Sequence, residues 1–536
     1  MWRCRLCGGQ CLIPCYRGRS CRPTAHITWE LSGQTLVRSI VEMPVPFSVT
    51  FNRGRRDTRP KPKPSQLVSK ASFARAGATR NVTYSPSWTL GSKRQEARTL
   101  GIIKLLDSTL YYARLGLIPA VFGTIGLLAA TPAITVNVGQ EHVVTIGGVD
   151  APVVEPHLSI NPRNPNNLIA GAMVAQPDYN YSVIGLSSLD GGLTWYKHEF
   201  SSKGAGDVWT AFLADGTAVL SFLAQPDSAL QVFRSGDGGR TWSERPATSA
   251  RGQDHPTLLV GPDGSLYTVS AGSVRTKSER ARDAIIVTRS ADGGASFAGP
   301  VSVIASNLSY EAGNPAIAPD GMLLIPFADH HRPGSRRRLQ GPRDWMVVSS
   351  DGGNTFSEPM LISESCDGRG GWSSLAVFRD RTYHVCPAAE LNGIQFRHSE
   401  NRGETWSEPI RIDHPGDTTP QTRTPAIAVN GEGHIAIAWY DARNDRSTIK
   451  GNFRCQEIFV AVSVDGGLTF LPEVQVSSKP SCAATPRNVE TALRFPAGGE
   501  YMGLAAAPDG SFQLLWSDSR SEMYYLYTAK VTVNEK

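Results

Sequence analysis

Between residues 150 and 533 the chain alternates short apolar runs with turns rich in Gly, Asp and Asn. Runs such as Ala284-Ile-Ile-Val-Thr288 and Glu457-Ile-Phe-Val-Ala-Val462 have the length and the β-branched content of strands. An eight-residue signature, Ser-x-Asp-x-Gly-x-Thr-Trp/Phe, follows these runs. Six copies begin at Ser188, Ser235, Ser290, Ser349, Ser399 and Ser463, the fifth degenerate, with Asn401 in place of Asp. Their spacings of 47, 55, 59, 50 and 64 residues each leave room for four short strands and their turns.

The signature has the chemistry of a hairpin. Its Gly-Gly pair tolerates positive φ, its Asp accepts N–H groups of its own turn, and its aromatic residue drops between sheets. These six positions, five of them acidic, therefore read as turn residues, neither catalytic nor calcium-binding. A second series marks the first hairpin of each unit: Asn164–Asn167, Asp215-Gly216, Asp263-Gly264, Asp320-Gly321, Asp380-Arg381, Asn430-Gly431 and Asp509-Gly510. Seven first hairpins predict an all-β propeller of seven four-stranded blades, with six as the alternative. The last unit, Tyr501 to Val533, holds about three strands. Ile134–Val138 or Val143–Ile146 would supply its outer strand and close the ring, which protects the sheet edges.

Composition agrees: 52 Gly and 36 Pro suit many short strands better than long helices. Charge divides the chain in two. Residues 1–100 carry 18 Lys and Arg against 4 Asp and Glu, and the remainder 36 against 44. The first segment shows no sustained period and reads as a disordered or non-native basic leader over 1–100. Residues 101–133 have the layout of a signal peptide or membrane anchor, since Leu115 to Gln140 contains no charge, follows Lys104 and Arg114, and passes through small residues at Ala130 and Ala133. Either fate sends the propeller, 134–536, out of the cytoplasm, secreted or held outside by the anchor. Five cysteines crowd the first 21 residues, and Cys4 and Cys7 have zinc-like spacing without a second ligand pair in a folded frame. Cys366 with Cys386 and Cys455 with Cys482 are placed to form two disulfides in an exported domain.

The six boxes at blade spacing resemble the Asp-box (BNR-repeat) superfamily, whose best-known members are sialidases; the resemblance covers about residues 150–533. Sialidases share an Arg-Ile-Pro motif, a clamp of three arginines, a Tyr/Glu nucleophile pair and an Asp acid/base. This chain departs from them at Glu155-Pro-His-Leu158, where Arg-Ile-Pro would stand, and at Phe327-Ala-Asp-His-His331, where an arginine would stand. By family position, Tyr501 is the expected nucleophile and Glu311 its partner.

The first-strand entries line the rim opposite the boxes: Glu155/His157, Asp207/Trp209, Asp254/His255, Glu311/Asn314, Trp372, Arg423 and Tyr501. Placement there makes Asp254 or Asp207 the candidate acid/base, and Arg423, His255 and Trp372 candidate substrate contacts. Insertions add Arg275, Lys277, Arg280 and Arg282, then Arg332, Arg336, Arg337 and Arg338, a basic rim suited to an anionic glycan. Trp439-Tyr-Asp441-Ala-Arg443 and Trp516-Ser-Asp518-Ser-Arg520 repeat at equivalent places and predict Asp–Arg braces. No phosphate loop, dinucleotide fingerprint or His-Glu-x-x-His motif is present. The expectation is an exported, monomeric glycoside hydrolase of sialidase type, or a non-catalytic propeller that binds glycan or protein. No cofactor, metal or nucleic-acid partner is expected, and no membrane contact except the anchor.

Overall fold

The computed structural model describes residues 134–535, apart from 145, 177–179, 201–203, 275–281, 307–308, 331–342, 367–371, 389–392, 414–421 and 446–453. The leader, the signal or anchor segment, the five early cysteines and most of the two basic insertions lie outside the described residues.

Seven antiparallel sheets form, as the seven first hairpins predict; in six of them the strands run in chain order from inside to outside, and the seventh takes its outer strand from the start of the described chain. The inner strands include Val153–Asn161, Gly206–Phe212, Asp254–Val260, Ser374–Phe378, Thr422–Val429 and Gly503–Ala506. In blade 4 the inner position is split into Ser309–Ala312 and Ala316–Ile317. The ring closes through Ile134–Val138, which pairs with Tyr525–Glu535 in the register Ile134 with Glu535 to Val138 with Val531. His142–Val143 adds a second short pairing to the same strand, so both candidate segments lie on one edge. One first hairpin differs from expectation. Asn161 already pairs with Asn164, so the turn is at residues 162–163 and precedes Asn164–Asn167. The asparagines brace it instead, with Asn161 Nδ2 donating to Asn167 Oδ1 at 3.0 Å.

The second strands carry the core. Trp439, Tyr440, Phe222, Phe327, Phe512 and Trp516 are fully buried between neighbouring sheets. The box hairpins behave as their chemistry dictates. In the first, Ser188 Oγ donates to Asp190 Oδ1 (2.8 Å) and accepts from Gly192 N (2.8 Å). Asp190 Oδ1 also accepts from Leu193 N (3.1 Å) and Thr194 N (2.9 Å). Asn401 reproduces the acceptor role in the degenerate copy, taking the Thr405 N–H at 2.9 Å. Gly239 shows why the second glycine is needed: at φ 92° a Cβ would lie 2.6 Å from Ile169 of the preceding blade.

Two disulfides, Cys366–Cys386 and Cys455–Cys482, tie the loops where the cysteine spacing places them. The Trp-x-Asp-x-Arg repeats are braces. Asp441 accepts from Trp439 Nε1 (3.0 Å) and pairs with Arg443 (2.5 Å), while Asp518 accepts from Trp516 Nε1 (3.2 Å) and pairs with Arg520 (2.6 Å). The guanidinium of Arg520 also reaches Glu141 at 2.5 Å, fastening the closing segment to blade 7. Among the described residues no helix is long and apolar enough to cross a membrane.

Candidate active site at the axial mouth

Four inner strands share one irregularity at their entry. Pairing with the second strand slips between Val154 and His157, Gly206 and Trp209, Asp254 and Thr257, and Arg423 and Ala426. The residue inside each slip has a left-handed backbone: Glu155 (φ 53°), Asp207 (52°), His255 (48°) and Thr424 (56°). Such a conformation costs roughly 1–2 kcal/mol per non-glycine residue, and bulges re-aim side chains next to binding sites. In three of the four a proline follows, at 156, 256 and 425, and so leaves no N–H in the disrupted ladder.

These bulges gather carboxylates around one imidazole. His255 Nε2 lies 3.6 Å from Glu500 Oε2 and 3.7 Å from Asp254 Oδ1. Its backbone N–H donates to Asp207 Oδ2 at 3.3 Å, and its ring lies 4.2 Å from that of Trp372. Burial alone would lower the His255 pKa, but Asp207, Asp254, Glu500 and Glu311 outweigh it and raise the value. Burial, with Asp207 and Glu500 adding to it, pushes Glu155 well above the ordinary carboxylate range. Burial also raises Asp207, with His255 opposing. Tyr501 is buried, and burial followed by Glu155, Asp207 and Glu500 holds its phenol protonated.

Aromatic rings complete the wall. Trp209 stacks on His157 with centroids 3.8 Å apart and lies 5.8 Å from Tyr501. Asp207, His255, Trp372 and Tyr501 line one axial cavity together with Trp209 and Asn314. Thus four of the seven site residues expected from sequence meet there. Asp254 and Glu311 adjoin it through His255. Arg423 is buried against Tyr524 of blade 7, and burial lowers its pKa. The carboxylate whose charge acts most on Tyr501 is Glu155, followed by Asp207 and Glu500, while Glu311 acts on His255 and Glu500.

Glu155 stood on the expected rim without an assigned role, and Glu500 and Arg494 were not anticipated in the site. The segment between blades 6 and 7 forms a short helix, Val489–Arg494, then a turn at Pro496–Gly498. Phe495 anchors it in the core, and Thr424 Oγ1 donates to Gly499 O at 3.3 Å. This fold-back presses Gly499 onto Glu155, where a Cβ would lie 2.2 Å from Glu155 Cγ. It leaves Arg494 exposed, with its charge acting on Glu155, Asp207 and Glu500. The one signal in the sequence was the segment's length. Asp207, Asp254 and His255 also bring potential ligand atoms within 4.8 Å of one another, but the carboxylates that favour a proton on His255 compete with a metal for it.

Fold and site together define a closed seven-bladed propeller with an acidic, aromatic axial mouth on the rim away from its six box hairpins. The sequence profile of the BNR repeat-like domain matches residues 170–385. That match runs from the second strand of blade 1 to the second strand of blade 5. No curated protein matches it. Among solved structures, it is similar to a Dyadobacter fermentans protein of unknown function (12% identity, 74% of this chain and 99% of that one, TM-score 0.43). It is also similar to a Hadza microbial sialidase (14%, 65% and 73%, TM-score 0.41). Trypanosoma rangeli sialidase in complex with the inhibitor DANA is a third (11%, 71% and 55%, TM-score 0.39). Identities and scores this low say nothing of substrate.

Proposed function

We propose that the protein is an exported glycoside hydrolase acting on a glycan that carries an anionic group. The observation that supports this most is Tyr501, buried at the propeller axis against Glu155 and within the field of Asp207 and Glu500. A phenol is a neutral nucleophile suited to an anomeric carbon already developing positive charge, and the surrounding carboxylates favour that charge. In this scheme Tyr501 Oη attacks the anomeric carbon as its proton passes to Glu155 in its ionised form, so turnover rises with pH as Glu155 loses its own proton. The bond to the leaving oxygen breaks, and that oxygen takes a proton from Asp207, whose raised pKa suits an acid; Asp254 is the more exposed alternative. Water then attacks the same carbon and loses a proton to the carboxylate, and Tyr501 recovers its own from Glu155.

Arg494 is placed to meet the substrate's anionic group, while Trp372 and His255 offer stacking and hydrogen-bonding surface. Export is supported by two disulfides and by the uncharged stretch before the propeller. The test is release of product from a sialoside and a panel of other glycosides, with Tyr501→Phe as control. Turnover by the native chain and its loss in Tyr501→Phe are expected. Glycan binding without release from any member of the panel would make the propeller a binding protein and remove the hydrolase reading.

A further inference from the structure

A second group of reactive side chains lies away from the mouth, at the seam between blades 4 and 5. Asp344 is on the third strand of blade 4, Arg343–Ser349; His384 and Cys386 are two residues apart on the second strand of blade 5, Arg381–Pro387, and so share a face. Cys366 reaches them from the segment after the outer strand of blade 4. All four are buried, none more than 2% exposed. His384 Nε2 lies 3.0 Å from Asp344 Oδ2, and the potential ligand atoms of the four residues all lie within 4.8 Å of one another.

Burying a His–Asp pair is costly and does little for stability by itself. One nitrogen, one carboxylate oxygen and two sulfurs are, however, the donor set that Zn²⁺ takes in tetrahedral sites, with ligand distances of roughly 2.0–2.3 Å. A tetrahedron of that size needs ligand atoms roughly 3.3–3.8 Å apart, so the present cluster needs only a small contraction once the sulfurs separate. We propose that this seam is a redox-gated zinc site: a disulfide when oxidised, and a Cys366–His384–Cys386–Asp344 zinc centre when reduced. A thiol reductant supplies two electrons and two protons to the Cys366–Cys386 bond and is itself oxidised to a disulfide. Zn²⁺ then displaces the two thiol protons and binds both thiolates, the neutral imidazole and the carboxylate. The two states are alternative cross-links of the same seam, and Cys366 stands six residues before Trp372, which reaches the axial cavity. The proposal is independent of the glycosidase reading.

The full chain, reduced with a phosphine under anaerobic conditions, is titrated with Co²⁺ and then Zn²⁺. The five leader cysteines contribute equally to every variant, so the readout is a difference. Reduced wild type is expected to bind one equivalent of Co²⁺ more than reduced C366S/C386S, with the thiolate-to-cobalt absorption of a tetrahedral site. Reduced C455S/C482S should match wild type. His384→Gln, whose fold is checked with the disulfide intact, should lose the same equivalent on reduction. Zn²⁺ should raise the melting temperature of reduced wild type by at least 5 °C and leave the oxidised protein unchanged. Equal binding by reduced wild type and C366S/C386S, retention of the equivalent in His384→Gln, or no zinc-dependent rise in melting temperature overturns the proposal.

Discussion

The imidazole of His157 stacks on the indole of Trp209, with ring centroids 3.8 Å apart and planes 27° from parallel. Its Nδ1 accepts the backbone N–H of Thr210 at 3.1 Å, which places the ring proton of the neutral form on Nε2. Burial lowers the His157 pKa to about 3. The unfolded chain therefore takes up a proton near pH 6.5 that the folded protein refuses. Stability from this site is fully present above pH 6.5 and is lost as pH falls toward 3. His157→Asn keeps an acceptor for Thr210 and does not titrate. It should be about 1 kcal/mol less stable than wild type at pH 7.5, for loss of the stack. By pH 4 wild type should have lost about 3 kcal/mol that the variant keeps. Chemical denaturation at the two pH values checks the reversal.

Glu155 has the opposite sign. Its pKa is raised by burial and by Asp207 and Glu500, so the folded protein holds a proton that the unfolded chain releases near pH 4.5. The stabilisation is complete below the unfolded pKa and is lost as pH rises through the folded one. Glu155→Gln mimics the protonated form. It should melt higher than wild type at pH 8, with the gap closing toward pH 4, while glycoside release falls at least 100-fold. A variant no more stable than wild type at pH 8 would contradict the raised pKa.

Arg494→Met tests the only described guanidinium found acting on the ring carboxylates. It should raise KM for an anionic substrate about 10-fold or more and change kcat little, as expected for loss of binding shared by ground and transition states. Equal effects on anionic and neutral glycosides would count against its assignment.

The box hairpins should matter for folding and not for turnover. Asp237 accepts the N–H groups of Arg240 and Thr241 at 3.0 and 2.9 Å. Asp237→Ala should cost about 1–2 kcal/mol. Asp237→Asn, which copies the natural Asn401 hairpin, should cost less than half of that. Neither should change kcat; the checks are thermal melts and initial rates.

Ring closure depends on a short strand. Val136 and Val138 pack on the cluster shared by blades 6 and 7. V136D/V138D should lose on the order of 3 kcal/mol and expose the edge of Tyr525–Glu535, with aggregation that rises with protein concentration. Size-exclusion chromatography across a concentration series separates this from simple loss of stability.

Much of the architecture was legible because its causes are local. A Ser, an Asp and two glycines close five of the box turns, and a Ser, an Asn and one glycine the other, through bonds spanning only a few residues, so that a turn of this kind recurs once per blade in six of the seven. The seventh blade, its borrowed outer strand and both disulfides followed from counting hairpins and cysteines. The first turn was misplaced because the three asparagines and one proline of Asn164–Asn167 look like a turn in sequence, whereas Asn161 pairs directly with Asn164.

The residues that gather at the axial cavity were legible in part, and their pairing was not. Asp207, His255, Trp372 and Tyr501 were recognisable as polar or aromatic breaks at strand entries, since a channel mouth exposes what an apolar interior excludes. Which carboxylate faces Tyr501 was not, because Glu155 and Glu311 stand at equivalent entries and a pattern within one strand carries no information about its neighbours around the ring. The bulges that turn Glu155, Asp207 and His255 inward, the fold-back that carries Arg494, and the meeting of His384 with Asp344 across a blade seam depend on contacts between distant parts of the chain. The sequence by itself determined the repeated hairpin and therefore the closed scaffold; the tertiary structure alone decided which charges share a low-dielectric space, because that follows from blade-to-blade packing.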